Sequence, residues 1–115
     1  ILEKKVLINF FASWCSPCKI EHQILMKIAQ DHKDILILGF NHKDKKNDAL
    51  NFINKLGNPY DFIGIDDLGK IAMDFGVYGL PETFIIDKNG IIVFKHLGPM
   101  TEKLYNDEIN KYLSN

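Results

Sequence analysis

With only two cysteines in 115 residues, the chain has too few sulfurs for the dense disulfide framework that staples a small secreted domain, so the pair reads as redox or metal chemistry. Long apolar runs are missing too. Stretches such as Ile35–Leu38 and Ile91–Phe94 fall far below the roughly 18–20 residues of a membrane-spanning helix, and the chain is expected to be soluble. Charge of either sign is not in excess: 14 basic side chains face 15 acidic ones, for a net charge of −1, which gives no electrostatic footprint for nucleic acid or a membrane surface. Partners must therefore be recognised by local shape and chemistry. There is no low-complexity segment, internal repeat or linker, and a chain that is 46% hydrophobic and 25% charged suits one globular domain, residues 1–115, with one core. The first residue is Ile1 rather than methionine, close to a charged cluster, which leaves room for an upstream signal or anchor and leaves the compartment open.

What is present begins with Val6–Phe11, a run rich in β-favouring residues that alternates between two faces and reads as a buried strand. The segment Cys15-Ser16-Pro17-Cys18 follows at once. From Pro17 to about Gln30, Ile20, Ile24, Leu25 and Ile28 recur at helical spacing, and Pro17 is tolerated in a first turn, where its missing N–H has no helical partner. Ile35–Phe40 reads as a second strand, apolar enough to be covered on both faces. The polar loop His42–Lys46 leads to a helix near Asp48–Leu56, which Gly57-Asn58-Pro59 ends. Tyr60–Ile65 is a short strand before the turn Asp66–Gly69, and Ile71–Phe75 is a brief helix stopped by Gly76. Thr83–Ile86 and Ile91–His96 flank Asp87-Lys88-Asn89-Gly90, and Asn-Gly between apolar runs is a strong hairpin signal. A last helix spans about Glu102–Leu113, with Thr101 able to cap it and Leu104, Ile109 and Leu113 facing inward. The fold class is thus α/β: a mixed sheet with helices on both faces.

Chemistry concentrates at the cysteines. A two-residue spacer lets the first turn of a helix bring the thiols together and lets the bond reopen without refolding. Exposed N–H groups and the helix dipole stabilise a thiolate at a helix N-terminus, lowering a thiol that ordinarily titrates at about 8.5. Cys15 holds that place and is assigned as nucleophile, the more exposed sulfur. Cys18, one turn inward, is the resolving thiol. An inert stabilising disulfide is the plainer alternative, although closing so short a loop removes little chain entropy. A metal site is the sharper rival, because Cys15, Cys18 and His22 place three soft ligands within eight residues. Haem attachment needs histidine directly after the second cysteine, where this chain has Lys19. His22, His32, His42 and His96 otherwise read as solvated, His42–Lys46 as a solvated charged loop, and Met26, Met73 and Met100 as core or surface filler rather than a metal-binding set.

Several segments carry a resemblance that covers essentially the whole chain: Asn9–Cys15, Cys18-Lys19-Ile20-Glu21-His22, Gly57-Asn58-Pro59-Tyr60, Gly76–Asp87 and Asn89–Ile92. In this order they resemble the thioredoxin superfamily, and within it the membrane-tethered periplasmic thiol:disulfide interchange proteins of cytochrome c maturation, the CcmG or DsbE type. The resemblance implies the thioredoxin fold, with an extra αβ insertion between its βαβ and ββα halves. It implies that Pro81 is a cis-proline facing the disulfide, with the Leu80 backbone presented to an extended client. Glu21 and Glu82 would border the redox centre and tune it or transfer protons, and two solvated glutamates are the bland alternative. Trp14 and Tyr78 would line the client-binding side. Thioredoxin proper has a buried aspartate beneath the disulfide, and here Asn9 cannot ionise. The spacer Ser16-Pro17 departs from the Pro-Thr common in the family, so the potential, within a range of about −270 to −120 mV, is left open.

The function implied is that of a periplasmic disulfide reductase, tethered to the inner membrane by an N-terminal segment outside this chain. Its client would be apocytochrome c or the partner presenting the haem-ligating thiols, and its electrons would come from a membrane thiol reductase. No cofactor beyond the Cys15–Cys18 pair, no metal and no nucleic acid is expected, and the chain is expected to be a monomer. A general periplasmic reductase of the TlpA or ResA kind is the neighbouring alternative. A copper or zinc chaperone using Cys15, Cys18 and His22 is the non-enzyme one, and a bare interaction module would not need both thiols.

Overall fold

The computed structural model describes residues 1–114. It runs through β1 (Val6–Phe11), α1 (Ser16–Asp31), β2 (Leu36–His42), α2 (Lys46–Leu56), β3 (Phe62–Asp66), α3 (Lys70–Asp74), β4 (Glu82–Ile86) and β5 (Ile92–Leu97). The C-terminal helix follows as α4 (Glu102–Leu104), a π-helical turn (Tyr105–Ile109) and α5 (Asn110–Leu113). The strands form one five-stranded sheet in the order β3-β2-β1-β4-β5. β1 is central because its run is apolar on both faces: it pairs in parallel with β2 and antiparallel with β4. The α2–β3 pair is the insertion expected between the two halves, and β3 extends the sheet in parallel beyond β2.

Alternation along β1 sorts the core into two layers. On one face Leu7 and Phe11 pack with Leu25 and Ile28 of α1 and with Ile109 and Leu113 of the C-terminal helix. On the other, Ile8 and Phe10 pack with Phe84, Ala72 and Val77. Phe10 there meets the rings of Phe40, Phe75 and Phe84 at 5.2, 5.5 and 6.0 Å between centroids.

Local chemistry closes the elements where the residue pattern predicts. Asp66, buried at the end of β3, accepts the N–H groups of Ile71 and Ala72 at 3.0 and 2.9 Å and so caps α3. In the β4–β5 hairpin Asp87 Oδ1 accepts from the N–H groups of Asn89 and Ile91, and Gly90 supplies the positive φ of +80° that the turn requires. Thr101 Oγ1 accepts from Leu104 N–H at 3.1 Å, and Tyr105, Ile109 and Leu113 form the buried row of the C-terminal helix. Ile20 departs from expectation. The buried side of α1 runs through Cys18, Glu21, His22, Leu25 and Ile28, and Ile20, two residues from both Cys18 and His22, falls on the opposite side at 71% exposure. Among the described residues no helix is long and apolar enough to cross a membrane.

Gly39 of β2 ties this packing to the site. A Cβ there would stand 2.7 Å from the Tyr60 ring, which stacks on Phe11 at 4.8 Å and donates its hydroxyl to Asn9 Oδ1 at 2.8 Å. Gly39→Ala is expected to push the ring off this seat and cost about 1–3 kcal/mol in urea unfolding. Parental stability in that variant would show that the ring has room to yield.

Candidate active site

Strand register brings three loops to one end of the sheet. β1 ends beside Asn41 of β2 and beside Glu82 at the start of β4, so Ala12–Cys15, the turn after His42 and the segment before Glu82 are neighbours in space. Cys15 is the N-cap of α1, with extended backbone at φ −94° and ψ 108°, and its Sγ accepts the Cys18 N–H at 3.2 Å. The two cysteines are joined by a disulfide, with Cα atoms 5.3 Å apart. Cys15 is 5% exposed and Cys18 2%: the order is the one expected, but both residues are buried and the gap is narrow. Register pairs Phe10 with Glu82, which leaves Pro81, the residue before β4, at the same sheet end as Cys15; the Leu80–Pro81 bond is cis and Pro81 is buried. Leu80 is partly buried, Trp14 is 58% exposed and Tyr78 96%. Trp14, the disulfide and Pro81 therefore share one rim, and the Tyr78 ring stands out in solvent.

On the buried side of α1, one helical turn beyond Cys18, lies a buried polar chain. Asn9 points from β1 to the α1 face and donates from Nδ2 to Glu21 Oε1 at 2.8 Å and to Thr83 Oγ1 at 3.1 Å, while its Oδ1 receives the Tyr60 hydroxyl. Glu21 Oε2 accepts the Met100 N–H at 2.8 Å. Burial pushes the Glu21 carboxyl from 4.5 up to about 7, against the lowering pull of the bonds from Met100 and Asn9. Burial and the charge of Glu21 hold the Tyr60 hydroxyl well above its usual value, so it stays a donor. Glu21 is thus an acid poised near neutrality one helical turn from Cys18.

Glu82 shares the sheet end but not the face. It alternates with Thr83, so its side chain lies with Phe84 on the α3 side, where Oε1 is 3.3 Å from Lys95 Nζ and Lys95 stands over the Phe84 ring. Its Oε2 is buried and has no hydrogen-bond partner among the described residues. Neither glutamate is a solvated surface residue.

Other expectations need correction. His22 is buried, not solvated: it directs Nε2 to the Gly57 carbonyl at 2.7 Å and packs edge-on to Phe52, and burial lowers its pKa in spite of that bond. The C-x2-C-x3-H stretch therefore does not converge, since the sulfurs bond each other and the imidazole seals α1 against the end of α2. Loop 42–46 is not simply solvated, because Asp44 is bound to Ser13. Met100 needs no such correction: it is core, one of the two readings given for it, and its N–H belongs to the acid network. Tyr60 and Thr83 were not singled out from the sequence. The adjacency of Tyr60 to the Gly57-Asn58-Pro59 break was the available signal for the first, and the position of Thr83 two residues after Pro81 for the second.

A mixed sheet of this order, with a cysteine pair at the mouth of its first helix and a cis-proline across from it, defines a dithiol protein of the thioredoxin fold. Within that class the chain belongs to the redoxin family, which matches residues 2–113. It is similar to the thiol:disulfide interchange protein CycY of Rhizobium leguminosarum bv. viciae, 48% identical over 98 residues that cover 85% of this chain and 52% of that protein. It is likewise similar to the thiol:disulfide interchange protein DsbE of Pasteurella multocida, 42% identical over 106 residues, with coverage of 92% and 58%. The chain spans a little more than half the length of these relatives. Among solved structures it superposes on MTB DsbF, in mixed oxidised and reduced forms, with a TM-score of 0.81 at 25% identity, covering 97% of this chain and 80% of that one. The α/β thioredoxin fold and the likeness to interchange proteins expected from the motif segments are both met.

The Glu21 shift has a signed consequence for stability. A carboxyl that holds its proton more tightly when folded contributes stability below about pH 4.5, and that contribution is lost as pH rises to about 7. The loss amounts to about 3 kcal/mol at 1.36 kcal/mol per pKa unit. Subtracting the urea stability of Glu21→Gln from that of the parent, both oxidised, is expected to give a difference that falls over this window and is flat above it; a pH-independent difference would show Glu21 ionised like a surface carboxylate.

Proposed function

We propose that the chain is a thiol:disulfide oxidoreductase that works in the reducing direction on protein clients outside the cytoplasm. The carrying observation is the Cys15–Cys18 disulfide at the N-cap of α1, with Cys15 Sγ already receiving a backbone N–H. Similarity to CycY and DsbE, both named thiol:disulfide interchange proteins, supports the activity, and the extracytoplasmic setting rests on the resemblance of the motif segments to the periplasmic interchange family.

In the reduced form the Cys15 thiolate attacks one sulfur of a client disulfide. A mixed disulfide forms, and the other client sulfur leaves as a thiolate and takes a proton. Cys18 then gives up its proton, attacks Cys15 Sγ and releases the second client sulfur as a thiolate, so two electrons pass to the client, its two thiolates take up the proton shed by Cys18 and one more from water, and the protein ends with the bond seen here. Glu21, one turn along α1 and titrating at about 7, is the group able to accept the Cys18 proton near neutral pH. The buried Pro81 and the partly buried Leu80 form the edge on which an extended client segment lies, with Trp14 beside it.

The client class that fits is a pair of closely spaced cysteines, as in the haem-attachment segment of an apocytochrome c or in a protein that presents those thiols. Electrons return from a membrane thiol reductase, and the full-length protein is tethered to the inner membrane. Support for these finer assignments is the likeness to the interchange proteins of cytochrome c maturation.

Cys18→Ser is expected to accumulate a mixed disulfide through Cys15, separable on non-reducing gels and released by dithiothreitol, while Cys15→Ser accumulates none. Trapping through Cys18 instead would reverse the two roles. Equilibration with glutathione is expected to give a potential well below that of a strong oxidant at about −120 mV. Reduction of a haem-site peptide at the same rate as an unrelated disulfide would point to a general reductase.

A further inference from the structure

The segment that carries the chain from β1 to Cys15 is gripped by a residue from the end of another strand. Ser13 donates its N–H to Asp44 Oδ2 and its hydroxyl to Asp44 Oδ1, each at 2.8 Å. The same carboxylate receives Asn41 Nδ2 on Oδ2 and the Lys45 N–H on Oδ1, both at 2.9 Å. Two of these bonds shape the loop itself. The other two reach across to Ser13, and parallel pairing of Phe11 with Asn41 is what makes the reach short. Together they outweigh burial and keep the Asp44 carboxyl below its ordinary range, so it is ionised and acceptor-only.

The next residue is held from the same loop. Trp14 Nε1 donates to the Lys43 carbonyl at 3.0 Å. Lys43 has φ of +45°, a left-handed backbone that residues with a side chain rarely adopt, and its own N–H is tied to the Asp66 carbonyl at 3.1 Å. The strained turn thus aims one carbonyl at Trp14 and one carboxylate at Ser13. Immediately downstream, Cys15 needs its extended backbone to keep Sγ on the Cys18 N–H.

We propose that Asp44 is a positioning residue for Cys15: by fixing Ser13, and Trp14 through the Lys43 carbonyl, it sets the path of the chain into the N-cap of α1 and holds Sγ where the helix N-terminus stabilises its thiolate. The proposal rests on the exchange reading above. Asp44 acts through Ser13 and Trp14, and its charge works in the opposite sense from its position. Removing a nearby negative charge lowers a thiol's pKa, whereas removing the N-terminal N–H groups from the thiolate raises it.

The test measures iodoacetamide alkylation against pH in the Cys18→Ser background, where Cys15 is the only thiol. Asp44→Ala, shown to be folded by circular dichroism and urea titration, is expected to raise the Cys15 midpoint by about 0.2–0.7 pH units and slow alkylation below the midpoint about two- to fivefold. Ser13→Ala, which deletes one partly buried bond, is expected to move the midpoint the same way by less, and the double variant no further than Asp44→Ala alone. An unchanged or lowered midpoint in folded Asp44→Ala overturns the proposal, as does full additivity of the two substitutions. Should Asp44→Ala not fold, Ser13→Ala decides by itself, an unchanged midpoint overturning the assignment. A parental midpoint at the ordinary value of about 8.5 would overturn the exchange reading and this one with it.

Discussion

The amide of Asn9 is the junction on which the rest of the site depends. One side chain meets α1 through Glu21, β4 through Thr83 and the segment before β3 through Tyr60, using both N–H bonds and the carbonyl oxygen. A buried carboxylate in this place would bring a second charge beside Glu21. A buried apolar residue would leave Glu21 with one hydrogen bond fewer in a medium where an unmet polar group costs about 1–3 kcal/mol. The amide alone both donates and accepts without titrating, so ionisation in this network belongs to Glu21.

From that junction the two faces of the sheet take different work. The α1 face holds the cysteines, the acid network and the larger apolar layer. On the α3 face Glu82 and Lys95 form a separate ion pair against the Phe84 ring, part of an aromatic layer that stiffens β4 directly behind Pro81. The two acidic candidates therefore differ in kind: Glu21 lies one helical turn beyond Cys18 as an acid near neutrality, and Glu82 lies on the opposite face of the strand that follows the cis-proline.

Much of this was legible from residue pattern. Alternation in Val6–Phe11, helical spacing after Pro17 and the Asn-Gly turn located the elements, and a cysteine pair between strand and helix located the chemistry. What stayed hidden depends on pairing, which local pattern does not encode. His22 could face water or core, and only the seating of Gly57 at the end of α2 decides it. Asp44 looked like one charge among several in a polar loop because its partner, Ser13, is 31 positions away and becomes a neighbour only when β1 and β2 align in register. Glu21 and Glu82 were recognisable as candidates by position, yet their burial on opposite faces follows from the antiparallel setting of β4.

The Met100 N–H on Glu21 Oε2 also bears on the order in which the protein comes into being. Both cysteines are made some eighty residues before the backbone group that completes the seat of the acid, and the helix over residues 102–113 that covers the same face comes later still. A growing chain therefore carries thiols before it has a redox centre. Until β5 and the helix over residues 102–113 dock, Glu21 is an ordinary carboxylate in water and the cysteine pair has ordinary solution reactivity, so the finished site reports that the segment through that helix has been made and has folded.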